Sequence, residues 1–355
     1  MTKAKQKKSS LIMLVIIAFI VIVLGIYLFC TGPVDKKNTE LIDVSIESGT
    51  SVNQIADILK DKGLIRSPLL FKIYVKIYDV DSLKAATYQL SPSMNLKEII
   101  EQLEKGSTYN PNLVVLTFKE GERITDFAKT IEKNTNTSYD EVLSIINDKE
   151  YLNTLINEYW FLTPDILNAD IYYPLEGYLA PDTYHFENKD VEVKAIIKKM
   201  LDEMDNVLEP YQSTIINDVH KYMTMASIVE LEGTNTENRK MIVGIFNNRL
   251  NSGMNMGSDV TTYYGLQVAM TSDLTSEQFA STNAYNTRST TMIGKLPVGP
   301  ICSPSKSSIE ASIYPTDNDY LFFVADKNGK IYYTKTMQEH DQKIAEIKAK
   351  GDWIW

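Results

Sequence analysis

The chain has 355 residues, of which 44% are hydrophobic, so it is long enough for two or three domains with ordinary cores. Its formal net charge of −10 lacks the basic footprint that nucleic-acid binding requires, and we expect no nucleic-acid partner. The three histidines show no metal-ligand spacing, and the two cysteines, Cys30 and Cys302, lie far apart. We therefore expect no metal, no cofactor and no disulfide framework.

Residues 11–30 form an apolar stretch without a single charge. As a helix this stretch would be about 30 Å long, which matches the hydrocarbon core of a bilayer. Four lysines precede it, and by the positive-inside rule they keep the tail, residues 1–10, in the cytoplasm. The pattern predicts a single-pass anchor in the cell membrane, with residues 31–355 outside the cytoplasm.

A cleaved signal peptide and a lipoprotein signal are the alternatives to this anchor. Both need small residues before the cleavage site, whereas the apolar stretch ends on the bulky Tyr27, Leu28 and Phe29. A retained anchor is therefore the preferred interpretation. Without the four lysines of the tail the net charge falls from −10 to −14, and the scarcity of cysteine outside the membrane fits a bacterial surface protein.

A strand–turn–helix pattern occurs three times after a short polar linker. Residues 44–59 indicate a strand, a turn at Gly49 and an amphipathic helix, and residues 116–131 repeat this pattern with a turn at Gly121. Residues 88–103 are a weaker third copy. Apolar residues spaced at i, i+3 and i+7 would bury one face of each helix against its strand, so a recurring β-turn-α packing unit explains the pattern.

Residues 44–59 also resemble the first half of LysM modules, which bind polymers that contain N-acetylglucosamine. The second half of a module is not recognisable, so glycan binding by this part stays open. We predict a linker and a small LysM-like β/α domain over residues 31–112, followed by a larger catalytic domain over residues 113–355.

The larger domain alternates short strands and helices without a regular βαβ rhythm, which predicts a mixed α+β fold rather than a doubly wound sheet. Residues 136–168 are expected to be mainly helical. Residues 319–325 and 331–334 flank a Lys-Asn-Gly-Lys turn and predict a β-hairpin.

The segment MASIVELEG, residues 225–233, places two acids at the end of a helix predicted over residues 217–232. Residues i and i+2 of a helix point to different sides, so Glu230 and Glu232 cannot form a facing pair. An acid that follows the apolar Ile228 and Val229 would keep its proton through burial, as general acid catalysis at neutral pH requires. On these residues alone, a solvated helix-end glutamate is the simpler interpretation.

Three further stretches surround this segment in chain order: PLEGYLAPDTYHF (174–186), VGIFNNRLNSGMNMGSDVTTYYG (243–265) and NAYNTRSTTMIGKLPVGPICSP (283–304). Together with MASIVELEG and the N-terminal anchor, they resemble the endolytic murein transglycosylases of the YceG-like (MltG) family. The resemblance covers residues 11–340 in the expected order. The sequence departs from the family at Gly257 and Val260, where other members more often have Gln and Pro.

This resemblance implies a lyase that cleaves the β-1,4 bond between N-acetylmuramic acid and N-acetylglucosamine inside peptidoglycan strands and so limits strand length during wall synthesis. The catalytic acid of the family corresponds to Glu230. A hydrolase needs a second carboxylate, whereas a transglycosylase uses the C6 hydroxyl of its own substrate to close a 1,6-anhydro ring. Glu230 would protonate the leaving oxygen and then accept the proton of that hydroxyl.

The resemblance also implies substrate contacts from nine further residues: Glu176, Asp182, Asn248, Arg249, Ser258, Asp259, Thr261, Tyr285 and Asn286. Several have a structural alternative. Asn248 and Arg249 could cap a helix or form an ion pair, and Tyr285 could lie in the core rather than stack on a sugar. Glu176 and Asp182 are the best candidates for a second acid, although a cap or a salt bridge would also account for them.

Two other functions compete with the transglycosylase. One is a muramidase that hydrolyses the same bond, and the other is a glycan-binding scaffold of the wall-synthesis machinery without activity. The expected partners are peptidoglycan strands, the membrane and, from the family resemblance alone, complexes with penicillin-binding synthases.

Overall fold

The computed structural model describes residues 2–78, 80 and 82–353 of the chain. Met1 of the predicted tail and residues 354–355 of the predicted catalytic domain lie outside the described residues. The chain divides into two compact units, Met1–Asn112 and Leu113–Trp355.

The first unit begins with a long helix, α1 (Thr2–Thr31). Its part Met13–Thr31 is apolar, none of its residues is buried, and by length and composition it could cross a membrane. Exposed apolar surface of this extent is not stable in water, whereas lipid solvates it and the helix satisfies its own backbone groups. An apolar helix of spanning length is thus present where the sequence predicts the anchor, and its orientation stays a prediction.

The rest of the first unit packs two strands against three helices. The elements are β1 (Ile42–Ile46), α2 (Val52–Asp61), α3 (Pro68–Ile77), β2 (Ala86–Leu90) and α4 (Leu96–Lys105). The strands pair antiparallel with Val44 opposite Tyr88, and both side chains lie in one core. Ser51 and Asn95 form capping boxes at the starts of α2 and α4, so the two strand–turn–helix copies predicted here are confirmed. LysM-like character stays a prediction.

The second unit contains eleven helices with the regular α pattern and four strands among its described residues. They are β3 (Val114–Thr117), α5 (Ile124–Asn134), α6 (Tyr139–Ile146), α7 (Lys149–Glu158), β4 (Thr183–Phe186), α8 (Val193–Leu208), α9 (Gln212–Ile215), α10 (Val219–Glu232), α11 (Thr236–Asn251), α12 (Asp259–Gly265), α13 (Ser276–Phe279), α14 (Lys306–Ile313), β5 (Phe322–Ala325), β6 (Ile331–Thr334) and α15 (Met337–Ala349). Strands β3 and β4 form one antiparallel pair, and β5 and β6 form another. The mixed α+β class, the strand–turn–helix copy over residues 116–131, the helical region 136–168 and the hairpin are confirmed.

Helix α10 is central to the second unit because it contributes to two hydrophobic cores. Met223 and Ala226 pack into the core formed with β3, β4, α5 and α8. Ile228 and Val229 pack into a second core formed with α11 and α12. Burial of each such aliphatic side chain stabilises the fold by roughly 1.5–3 kcal/mol, so α10 is held firmly over its length. Its last turn, which carries Glu230 and Glu232, is therefore a rigid platform.

Candidate active site

The carboxylate of Glu230 is the centre of a dense polar cluster. One oxygen, Oε1, accepts a hydrogen bond from Nη2 of Arg239 at 2.8 Å. The other, Oε2, accepts from the backbone N–H of Ser305 at 2.8 Å, from Oγ of Ser305 at 2.5 Å and from Oγ of Ser308 at 2.7 Å. The side chains of Glu230 and Arg239 are only 6% and 14% exposed, so this ion pair is largely removed from water.

The sequence folds locally to present these donors. Ser305 is the N-cap of α14, and its hydroxyl also accepts from the N–H of Ser308 at 3.2 Å. The start of α14 thus directs an N–H group and the positive end of its dipole at Glu230. Arg239 lies in the first turns of α11, which Asn235 caps. Gly233 leaves the space that this arginine needs, because a Cβ atom there would lie 2.4 Å from Cγ of Arg239.

Four donors around one carboxylate stabilise its negative charge. The expected apolar surrounding is not what the Glu230 head group meets, although Ile228 and Val229 before it are fully buried. The apolar residues of α10 anchor the helix in the core, whereas the Glu230 head group emerges from it among hydroxyl and guanidinium groups.

Glu232 points into a different network, as the helical spacing predicts. Its Oε1 accepts a hydrogen bond from Oγ of Ser258 at 2.5 Å, and the N–H of Ser258 donates to Oγ1 of Thr287 at 3.0 Å. Burial raises the pKa of Glu232, and the bond from Ser258 opposes that rise. The two acids at the end of α10 therefore have separate partners.

A cleft of about 410 Å³ is lined by Leu231, the residue that follows Glu230 in α10, and the Glu230 carboxylate and its donors are not part of its lining. Gly121 and Arg123, at the start of α5, line one side, Leu231 lies beside Glu230, and residues 267–270 line the far side. Among the described residues, Gln267 is the one non-glycine residue with a positive φ, at 54°. Strained backbone of this kind is concentrated at binding and catalytic sites, so this wall is a reasonable place for substrate contact.

The predicted residues of α11 hold the loops around the cluster. Nδ2 of Asn248 donates to the carbonyl oxygens of Asn318 and Tyr320 at 2.8 and 3.0 Å. Nε of Arg249 donates to the carbonyl oxygen of Leu321 at 2.6 Å, and its Nη1 donates to that of Met256. Both side chains thus tie α11 to its neighbouring loops. A role in sugar binding stays a prediction for them.

The predicted residues around α12 form a buried polar framework. Thr261 donates to the carbonyl oxygen of Ser258 at 2.7 Å, and Nδ2 of Asn286 donates to that of Ser281 at 2.7 Å. Asp259 pairs with Arg288 at the surface. The ring of Tyr285 is fully buried and lies 4.7 Å from the ring of Tyr264, so its faces pack against protein in this structure.

The two predicted second acids lie in different surroundings. Glu176 is only 1% exposed and accepts from the N–H of Ile124 at 3.0 Å and from the hydroxyl of Tyr264 at 3.1 Å. Asp182 is exposed before β4, and its Oδ1 accepts from the N–H of Thr183 at 2.6 Å. Neither side chain has a hydrogen bond to the Glu230 cluster among the contacts of the described residues. Substrate binding by either stays a prediction.

We expect Glu176→Gln to flatten the pH dependence of stability. Burial raises the pKa of Glu176 to about 8, so the folded protein retains a proton that the unfolded chain loses above about pH 4.5. The free energy of unfolding should therefore fall as pH rises between these values and level off above them, by at most about 5 kcal/mol. Glutamine mimics the protonated acid, so its melting temperature should change less over this range. A decline as steep as that of the wild type would contradict this assignment.

Sequence reasoning missed three residues of the site: Arg239, Ser305 and Ser308. The run Ser-Pro-Ser-Lys-Ser-Ser at 303–308 carries a helix-start signal that could have identified the two serines. Nothing in the sequence near Arg239 indicates that its side chain reaches Glu230. Among the described residues, no group of three or more His, Cys, Asp or Glu side chains is placed to hold a metal ion.

The fold and the site together define a protein with an apolar N-terminal helix and a buried, multiply hydrogen-bonded glutamate beside an open cleft. Comparison with known families identifies its class. Residues 44–346 match the model of the YceG-like family, and the chain belongs to that family.

Named relatives agree with this assignment. The endolytic murein transglycosylase of Bacillus subtilis (strain 168) is 35% identical over 90% of this chain and 89% of its own length. The endolytic murein transglycosylase of Streptococcus pneumoniae serotype 2 (strain D39) is 33% identical over 88% of this chain, which spans only 60% of that relative. A crystal structure of a yceG-like protein from Listeria monocytogenes is similar with a TM-score of 0.61 and 37% identity, over 86% of this chain and 99% of that one.

Proposed function

We propose that this protein is a membrane-anchored lytic transglycosylase of peptidoglycan. It cleaves the β-1,4 bond between N-acetylmuramic acid and N-acetylglucosamine within glycan strands and leaves 1,6-anhydro ends, which limits strand length. The observation that carries the proposal is the Glu230 carboxylate, fixed by Arg239 and Ser305 beside the cleft. The names of the relatives supply the substrate class.

The reaction needs one proton delivered and one accepted. A proton goes to the glycosidic oxygen as its bond to C1 breaks, and the C6 hydroxyl attacks C1 while Glu230 accepts the hydroxyl proton. Ring closure within one sugar gives the hydroxyl a high effective molarity, so no bound water has to be positioned. An internal cut requires sugars to be bound on both sides of the acid.

A muramidase is the second candidate, because a second acid, Glu120, directly precedes Gly121, where a Cβ atom would lie 3.9 Å from Cγ of Glu230. Hydrolysis would use such a pair to activate water or to form a covalent intermediate. The same pair also suits proton transfer in a transglycosylase, so the distinction rests on the product. A scaffold without activity would give no product at all.

We expect the full-length protein in detergent to convert uncrosslinked glycan strands into fragments that end in 1,6-anhydro-N-acetylmuramic acid. Mass spectrometry separates this end from the hydrolytic one, because the anhydro form is lighter by one water. Internal cutting should shorten long strands early, before small fragments accumulate. Reducing ends in place of anhydro ends would establish the muramidase, and intact strands would favour the scaffold.

The proposal also covers the cellular location of the protein and its binding partners. Export of residues 31–355 brings the site to the wall, and the apolar helix keeps it near the membrane. Binding of glycan by residues 31–112 and association with penicillin-binding synthases extend the proposal. Glu176, Asp182 and the predicted residues of α11 and α12 remain its proposed substrate contacts.

A further inference from the structure

A second acidic residue, Glu120, lies in the segment that covers the end of α10. Residues 119–122 connect β3 to α5, and their backbone reaches the side chain of Glu230. A Cβ atom built on Gly121 would lie 3.9 Å from Cγ of Glu230 and 3.2 Å from Cδ2 of Leu231. Gly121 has a φ of 77°, so this close approach combines a left-handed backbone with the absence of a side chain.

The same segment is bonded to the loop that carries the donors of Glu230. The N–H of Gly121 donates to the carbonyl oxygen of Ser303 at 2.8 Å, and the N–H of Ser303 donates to that of Glu122 at 2.9 Å. Ser305, two residues further on, donates twice to Glu230. The backbone that follows Glu120 and the donors of Glu230 are therefore held on one hydrogen-bonded frame.

The surroundings of Glu120 differ from those of Glu230. Residue 120 is exposed, and no hydrogen bond or salt bridge of its carboxyl group is present among the described residues, whereas four donors surround Glu230. The charged groups around it are Glu230 of α10 and Arg239 of α11, with Lys119 and Glu122 in its own segment. Partial burial and then the negative charge of Glu230 raise the pKa of Glu120, and Arg239 opposes this rise.

We propose that Glu120 stores the proton that Glu230 delivers to the glycosidic oxygen. Both oxygens of Glu230 already accept hydrogen bonds, whereas the carboxyl group of Glu120 has no donor among the described residues and can carry the proton. The proton passes from the Glu120 carboxyl to Glu230 and on to the leaving oxygen as the C1–O bond breaks. The C6 hydroxyl then bonds to C1, and its proton returns through Glu230 to Glu120, so no proton is gained or lost.

Glu120 acts through Glu230 and is a positioning residue for the proton rather than a catalytic residue. This inference rests on the proposed function, because it assigns the source of the proton in that reaction. Two carboxyl groups that share one proton hold it to higher pH than either would alone. Removal of the Glu120 carboxyl group should therefore lower the rate on the alkaline side of the pH profile and leave substrate binding unchanged.

The test is the pH dependence of strand cleavage by the full-length protein in detergent, from about pH 4.5 to about pH 8.5. With uncrosslinked strands as substrate, Glu120→Gln should shift the alkaline limb by about one pH unit to lower pH, which is a roughly tenfold loss of kcat on that limb. KM and the rate on the acidic side should stay near those of the wild type. Glu120→Asp should restore part of the shift.

Glu122→Gln is the matched control in the same segment. Glu122 accepts a hydrogen bond from the N–H of Lys119 at 2.9 Å, and glutamine can accept the same bond. This variant should keep the wild-type profile. Coincident profiles for Glu120→Gln and the wild type, or equal losses at every pH in both variants, would overturn the inference. The proposed function itself fails only if Glu230→Gln also remains active or anhydro ends are absent.

Discussion

Glu230→Gln is expected to reduce strand cleavage by at least about a thousandfold. General acid–base catalysis by one group contributes about 10²–10⁴ in rate, and Glu230 serves in both proton transfers. Glutamine has the same shape, but its NH2 group must face either Arg239 or the donors of α14, so some stability is lost and the rate must be compared well below the melting temperature. The measurement is the initial rate of anhydro-end formation, with the melting temperature recorded on the same preparation.

Glu232→Gln is the matched control, two residues away on the same helix. Its carboxylate accepts from Oγ of Ser258, a bond that glutamine can also accept. The variant should therefore cleave strands within about tenfold of the wild-type rate, because its network lies apart from the Glu230 cluster. Glu232 is also a buried acid with a raised pKa, so it is the natural rival of Glu230. If Glu232→Gln lost activity and Glu230→Gln retained it, Glu232 rather than Glu230 would be the catalytic acid.

Local patterns explain why much of the fold was predictable. The three strand–turn–helix copies depend on turn residues, helix starts and a 3.6-residue apolar period, all of which lie within about fifteen residues of one another. The β5–β6 hairpin and helix α10 were predictable from local patterns in the same way. The path of the chain between these elements depends on contacts between residues that are distant in sequence. Such contacts leave no recognisable pattern in a single sequence.

The candidate site divides in the same way. Glu230 could be located because four motifs occur in a recognisable order. Its partners Ser305 and Ser308 are separated from it by 75 and 78 positions, and Glu120 lies on the opposite side of it in the chain. The expected apolar surrounding failed for the same reason, since the neighbours of Glu230 along α10 are apolar whereas its neighbours in space are polar. Tyr285 shows the converse: its motif is recognisable, but its ring is enclosed by other aromatic rings.

Gly233→Ala tests whether the Arg239–Glu230 pair supports activity. The added Cβ atom would lie 2.4 Å from Cγ of Arg239 and 3.1 Å from its N and Cα atoms, so backbone as well as side chain must move. Overpacking of this kind destabilises a protein by roughly 1–3 kcal/mol. Displacement of the guanidinium by about 1 Å can reduce the rate about a hundredfold, because the carboxylate loses the partner that orients it.

Gly253→Ala separates this effect from a general loss of stability. A Cβ atom on Gly253 meets nothing within 4 Å, but its φ of 67° makes alanine strained by about 1–2 kcal/mol. The two variants should therefore melt at similarly reduced temperatures, and only Gly233→Ala should lose most of its cleavage rate. Equal activity in both would mean that the arginine neutralises Glu230 without orienting it. The glycine that ends MASIVELEG would then be required for folding alone, and the site would depend on the serines of α14.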